Sequence, residues 1–139
     1  MRRGYTLIET LLSLVVLALL LGIMLPRFGA VRDQLAVNDE AGRIAAAHRR
    51  ARTTAILMSR PVVLTISADS LAVNEADSAP TWIQPGPAAS GVSLAGGMRQ
   101  LTFSPVGITT GLSNATFRLT RGDASRTVVV SRLGRLRIR

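Results

Sequence analysis

From Leu11 to Leu25 the chain reads LLSLVVLALLLGIML, with Ser13 and Gly22 its only breaks in a run of bulky or methyl-bearing apolar side chains. Extended back to Tyr5, the stretch makes a helix of about 31 Å at about 1.5 Å per residue, which matches a hydrocarbon core of about 30 Å. Pro26 then removes a backbone donor and predicts a kink just past the apolar run. Beyond it Phe28, Val31, Leu35, Ile44, Ala47, Ala51, Ala55 and Met58 recur mostly at spacings of three or four, among Arg43, Arg49, Arg50 and Arg52. That period predicts an amphipathic helix to about Ser59, weakened at Asn38 and Gly42 and ended by Pro61, which pushes Arg60 out of helical conformation.

After Pro61 the period changes to two. Val62–Ser67 and Leu71–Asn74 flank Ala68-Asp69-Ser70 as a tight hairpin. Residues Glu75 to Gly97 hold Pro80, Pro85, Pro87 and four glycines with little periodicity, and are expected to form a long loop. Gln100–Ser104, Ala115–Thr120, Arg126–Ser131 and Arg135–Arg139 read as strands, with Arg121-Gly122-Asp123 turning between the middle two. The expected fold is α+β: a long N-terminal helix packed on a mostly antiparallel sheet. The organisation is a leader over 1–4, a membrane helix over 5–25, an amphipathic stem over 26–60 and a β-rich head over 61–139.

Charge sharpens this division. All 17 basic residues are arginines, against 8 acids, for a net charge of +9. Residues 1–60 carry +5, residues 61–98 carry −3, and residues 99–139 carry +7. Absence of cysteine excludes disulfides and thiolate chemistry, and the single His48 leaves little basis for a His-cluster metal site or a catalytic triad. His48 reads as a packing or surface residue and Asp69, Glu75 and Asp77 as solvated acids. Trp82 reads as either a loop anchor or a core plug. No cofactor is expected, and the chain does not read as an enzyme.

Arg2 and Arg3 precede the apolar run, so the positive-inside rule keeps the head of the chain in the cytoplasm and sends the remainder across. Met24-Leu25-Pro26-Arg27 offers no small-residue cleavage site, so the apolar helix stays as a single-pass anchor. Glu9 is out of place there, since a carboxylate at the centre of a span costs about 2.5–3.5 kcal/mol. Either it lies at headgroup depth, or it finds a counter-charge on another chain or on a new terminus.

Gly4-Tyr5-Thr6-Leu7-Ile8-Glu9, behind a short Arg-bearing leader and ahead of the apolar helix, resembles the class III signal of type IV pilins and type II secretion pseudopilins. Tyr5 stands where Phe is usual. The resemblance implies cleavage after Gly4 by a prepilin peptidase, with Tyr5 as the new, N-methylated terminus. It also implies that Glu9 pairs with the Tyr5 ammonium of a neighbouring subunit, neutralising two buried charges and fixing register. Pro26 resembles the proline at which pilin stems bend.

The head resembles the GspH/FimT-type minor pseudopilins through AHRRARTTAILMSRPVVLTI, LTFSPVGITTG and the closing VVVSRLGRLRIR. The implied role is a minor subunit of a filament anchored in the bacterial inner membrane, with its head in the periplasm. Its partners would be prepilin peptidase and other pilins or pseudopilins. Protein H of a type II secretion system is the leading role.

Arg135, Arg137 and Arg139 alternate with Leu136 and Ile138, so on a strand the three guanidiniums share one face. Arg118, Arg121, Arg126 and Arg132 would widen the patch. Gly134-Arg135-Leu136-Arg137 resembles the GRxR motif of FimT-like minor pilins that bind DNA for natural transformation, which gives the alternative role. The same row on an edge strand also serves to block sheet-to-sheet aggregation.

Overall fold

The computed structural model describes residues 6–75, 78–111, 114–131 and 133–139, with backbone alone at 25 and 26. The leader, Tyr5, Asp77 and Arg132 lie outside the described residues. Packing divides the chain into Met1–Arg32 and Asp33–Arg139.

One helix, α1 (Leu7–Met58), carries both the apolar run and the amphipathic segment. Its backbone is helical through Pro26, and Asn38 and Gly42 do not interrupt it. The helix starts at Thr6, whose Oγ1 accepts from the Glu9 amide at 3.3 Å, so Thr6-Leu7-Ile8-Glu9 has the spacing of a capping box. The hydroxyls inside the apolar stretch bond backward, Thr10 to the Leu7 carbonyl and Ser13 to the Glu9 carbonyl, each at 2.8 Å, which leaves no free donor to face lipid. Every side chain from Leu7 to Met24 is exposed.

In Asp33–Arg139 the buried helix face runs through Val37, Ala41, Ile44, Ala47, Ala51 and Ala55. Phe28, Val31 and Leu35 are exposed instead, as is Met58 at the helix end. The reason is phase: at about 100° per residue, positions 28, 31 and 35 continue into Asn38 and Gly42, on the side of the helix opposite Val37, Ala41 and Ile44.

Among the described residues, nine strands form two antiparallel sheets. The first is ordered β3-β2-β1-β5-β6, from Pro80–Pro85, Ser70–Glu75, Val62–Ile66, Arg99–Phe103 and Thr109–Thr110. The second is ordered β4-β7-β8-β9, from Ser93–Ala95, Ala115–Arg121, Ala124–Val130 and Leu136–Ile138. Leu64, Ile66, Leu101 and Phe103 of the first sheet and Phe117, Leu119, Val128 and Val130 of the second share one core with the helix stripe.

The expected long loop is largely structured. Within 75–97 lie β3, a 3-10 turn at Pro87–Ser90 and β4. Pro80 and Pro85 are compatible with β3 because it is an edge strand, with one side free of ladder bonds. Gly86 fastens the segment to the β1–β2 hairpin: its amide donates to the Asp69 carbonyl at 2.8 Å, and that of Ala88 to the Ala68 carbonyl at 2.9 Å.

Candidate functional site

The chain carries two surfaces of functional interest, one in each packing unit. The first is the apolar helix of Met1–Arg32, with Glu9 in its first turn. Gly4 and Tyr5, the expected processing site, lie outside the described residues. Thr6 was not singled out in the sequence reading, although its spacing to Glu9 marks a helix start.

The second surface is built on β9, an edge strand paired with β8 as Val128↔Ile138, Val129↔Arg137 and Val130↔Leu136. Because Val128 and Val130 are core residues, the register puts Leu136 and Ile138 on their face, Leu136 half-buried against the core and Ile138 still exposed near the chain end, while Arg137 faces out with Val129. The ladder continues on both sides. The Thr127 and Arg139 amides each donate to the other's carbonyl at 2.8 Å, and the Ser131 amide donates to the Arg135 carbonyl at 2.9 Å. Arg135, Arg137 and Arg139 are therefore brought together, all exposed, along one shallow groove of about 360 Å³ shared with Val129, Ser131 and Leu133. Gly134, at φ +70°, supplies the left-handed residue that lets the chain reverse into this row.

Arg118, opposite Thr127 on β7, is exposed on the same outer face. Arg121 and Arg126 do not widen the patch. The two-residue turn at Gly122–Asp123 sets a register that pairs Arg126 with buried Leu119, on the inner face. Arg126 Nε donates to Asn38 Oδ1 at 2.8 Å, and Arg121 Nε pairs with Asp33 Oδ1 at 2.8 Å while its Nη1 donates to the Ser90 carbonyl. Both tie the second sheet to α1.

The inner side of the arginine strand meets α1. Ala45, His48, Arg49 and Arg52 of the helix and Gly134, Arg135, Leu136 and Arg137 line a groove of about 340 Å³. His48 is 3% exposed, its ring stands edge-on to Phe103 with centroids 5.0 Å apart, and its Nε2 has no hydrogen-bond partner. Burial first, then the neighbouring Arg52 and Arg49 charges, hold its pKa below the ordinary 6.5.

Glu40, which the sequence reading passed over, is buried. Its Oε1 accepts from Ser90 Oγ at 2.6 Å and from Arg43 Nη1 at 3.1 Å, while Oε2 has no partner. Glu40 and His48 fall on the buried helix stripe, so drawing that stripe through Val37 rather than Leu35 would have flagged both. Trp82 is half-buried on β3 against the core, with the Arg50 guanidinium 5.1 Å from its ring centroid. Glu75 pairs with Arg60 at 3.4 Å. Among the described residues no three His, Asp or Glu side chains converge as metal ligands.

Comparison with known proteins places these features. Residues 40–134 match the family model of the type II transport protein GspH, and residues 1–25 match the prokaryotic N-terminal methylation motif. Pilin-like protein PilA1 of Thermus thermophilus is 34% identical over 155 aligned residues, which cover 99% of this chain and 98% of that protein. The type IV minor pilin FimU of Pseudomonas aeruginosa superposes with a TM-score of 0.61 at 20% identity, over 74% of this chain and 87% of that structure. A second crystal form of FimU gives 0.57 at 18% identity, over 73% and 91%. The pilin fold is thus found here, with its long N-terminal helix and antiparallel sheets, and the chain belongs to the GspH family of type IV pilin-like minor subunits.

Proposed function

We propose that this chain is a structural, non-enzymatic subunit, cut after Gly4 by prepilin peptidase and assembled through its N-terminal helix into a filament based in the inner membrane. The observation that carries the reading is a helix apolar on every side, with no side chain from Leu7 to Met24 buried within the chain itself. Such a surface needs lipid before assembly and neighbouring helices after it. Glu9 pairs with the Tyr5 ammonium of the next subunit, and the bend at Pro26 lets the head leave the bundle of helices. The head faces the periplasm. The description of the matched family, type II transport, supports protein export as the use of the filament.

Mass spectrometry of the chain recovered from membranes tests the first step. The expected product lacks residues 1–4 and carries a methylated Tyr5 amine, while Gly4→Ala keeps its leader. An uncut wild-type chain, or a Gly4→Ala chain cut like wild type, would refute the assignment.

A second reading is DNA binding on a type IV pilus, favoured by one observation: Arg135, Arg137 and Arg139 are exposed together along one groove of an edge strand.

A further inference from the structure

We infer that the open edge of β9 takes an extended acidic segment of another protein, which adds to the four-stranded second sheet as one more antiparallel strand. The inference concerns a partner of the head, and it depends neither on processing nor on filament assembly.

The backbone supplies the template. Thr127 and Arg139 donate to each other's carbonyls, so they form a hydrogen-bonded pair of the antiparallel ladder. Such pairs alternate with non-bonded ones along a ladder, so Val129↔Arg137 is bonded in the same way and Val130↔Leu136 and Val128↔Ile138 are not. The amides and carbonyls of Leu136 and Ile138 therefore point away from β8, toward an edge that no described strand covers. The other sheet edges are poorer templates. β3 holds Pro80 and Pro85, β6 is two residues long, and β4 is three residues long and runs into Gly96 and Gly97, both at positive φ. With its flanking bonds, the β9 ladder continues from Arg135 to Arg139.

The side chains select the occupant. In an antiparallel addition, the partner residues opposite Leu136 and Ile138 exchange both main-chain bonds with them. Those opposite Arg135, Arg137 and Arg139 fall at non-bonded positions, where side chains come closest. Directly opposed residues share a face, so the partner's side chains at these three positions meet the outward row of exposed arginines. A second copy of β9 would set arginine against arginine there, and like charges directly opposite disfavour pairing, whereas acids favour it. The two partner residues in between take the face of Leu136 and Ile138. Apolar side chains there would cover Ile138, which is 45% exposed, and a groove of about 340 Å³ separates β9 from α1 on that inner side. The edge thus calls for acid and apolar residues in alternation. Its arginines act in both directions, turning away copies of this chain and admitting an acidic strand. A nucleic acid would engage the row from outside, but only a peptide backbone offers a donor and an acceptor at each step to Leu136 and Ile138.

The full chain in nonionic detergent micelles, isotopically labelled at its leucine and isoleucine amides, would be titrated at low salt with the end-blocked peptide Ser-Glu-Val-Glu-Val-Glu-Ser. Parallel probes are the same peptide with Lys for Glu, the same peptide with N-methylvaline for Val, and a single-stranded thymidylate oligonucleotide. N-methylation keeps the charges and removes the two main-chain donors that strand addition needs. The Glu peptide is expected to bind saturably, about tenfold or more tightly than either peptide control. It should slow hydrogen exchange at the Leu136 and Ile138 amides about tenfold or more, and leave Leu64, in the middle of the first sheet, unchanged. The double variant Arg135→Glu/Arg137→Glu, at two exposed positions, should prefer the Lys peptide.

Equal binding of the Glu and N-methylvaline peptides would overturn the inference, because charge alone would then account for the contact. So would binding that leaves exchange at Leu136 and Ile138 unaltered, an unchanged preference in the double variant, or binding of the oligonucleotide with none of the Glu peptide. Protection of the same two amides by self-association, without peptide, would assign the edge to a second copy and overturn it as well. The peptide comparisons use the wild-type chain, so they decide the matter even if the double variant fails to fold. A chain that is not processed or assembled leaves these results untouched.

Discussion

The arginine row on β9 makes a quantitative prediction about salt. Residues two apart on a strand are separated by about 6.6–6.8 Å, an interval comparable to that between successive phosphates on an extended nucleic-acid backbone. If Arg135, Arg137 and Arg139 each meet one phosphate, three counterions leave duplex DNA, and log K should fall against log salt with a slope of about −2.7. Between 50 and 200 mM salt that slope is a loss of about 40-fold in affinity. Arg118, beyond Thr127 on the same face, raises the limit to four contacts and a slope of about −3.6. Fluorescence anisotropy with labelled duplex, read across a salt series on the full chain in nonionic detergent, measures the slope directly. Replacing all three row arginines by Gln should bring it to about −0.9 or flatter. Arg126→Gln is the matched control, because it removes one positive charge from a side chain bonded to Asn38 on the inner face. Its slope should equal that of wild type. A triple variant that keeps the wild-type slope, or an Arg126→Gln chain that loses as much as any single row variant, would show that net charge rather than the row draws the DNA.

His48 makes stability depend on pH. Its pKa is held below 6.5 in the folded chain, so the unfolded chain takes up the proton first as pH falls. The contribution of the neutral imidazole is complete above about pH 6.5 and is lost as pH drops from there toward the folded value. The thermal midpoint, measured without phosphate or sulfate, should fall between pH 7 and 5 by more in wild type than in His48→Phe. Two glycines should respond with opposite sign in urea denaturation. A Cβ on Gly86 would lie 2.4 Å from the Ala68 carbonyl oxygen and 2.6 Å from the Ser70 nitrogen, so Gly86→Ala should cost about 1–3 kcal/mol. Gly42 is an exposed helix position with open space around it, so Gly42→Ala should stabilise by about 0.5–1 kcal/mol. Glu9→Gln should insert into membranes like wild type, as followed by fractionation, yet fail to co-purify with sheared filaments.

The parts of the fold that could be read from the sequence are those fixed by neighbours in the chain. The hairpin around Ala68–Ser70, the turn at Gly122–Asp123 and the alternation of Arg135 to Arg139 each join a period-two pattern to a turn residue within a few positions. What could not be read depends on distant pairing. β4 is three residues long and exists because Leu94 meets Leu119 on β7, and nothing local to Ser93–Ala95 announces it. The split into two sheets likewise depends on β1 pairing with β5 and β4 with β7. The same limit governs the site. The alternation of β9 was visible in sequence, but a strand has two sides, and only the register with β8 shows which arginines face outward. Arg49 and Arg52 looked like the polar face of a helix because the strand opposite them, about 85 residues later, had no signature in the helix itself.

Glu9 shows how two explanations of one residue combine. At the centre of a span its carboxylate would cost about 2.5–3.5 kcal/mol. The helix, however, begins at Leu7, so Glu9 lies about 3 Å from the helix end, within reach of the headgroups. There the unpaired amides of the first turn favour an acid by about 0.3–1 kcal/mol, and the amide of Glu9 is satisfied by Thr6. A lone subunit in the bilayer therefore tolerates Glu9 without a partner. In the filament proposed above, the first turn moves among the apolar helices of its neighbours and loses both headgroups and water. The cap's contribution then falls short of the desolvation cost of a charge, and a neighbour's ammonium becomes the remaining source of compensation. Glutamine separates the two demands. It keeps the hydrogen-bonding capacity of a capping-box residue and removes the charge, so the variant should lose the step that needs a counter-charge and keep the one that needs only a helix start. Filaments that take up Glu9→Gln as readily as wild type would leave Glu9 as a capping residue and nothing more.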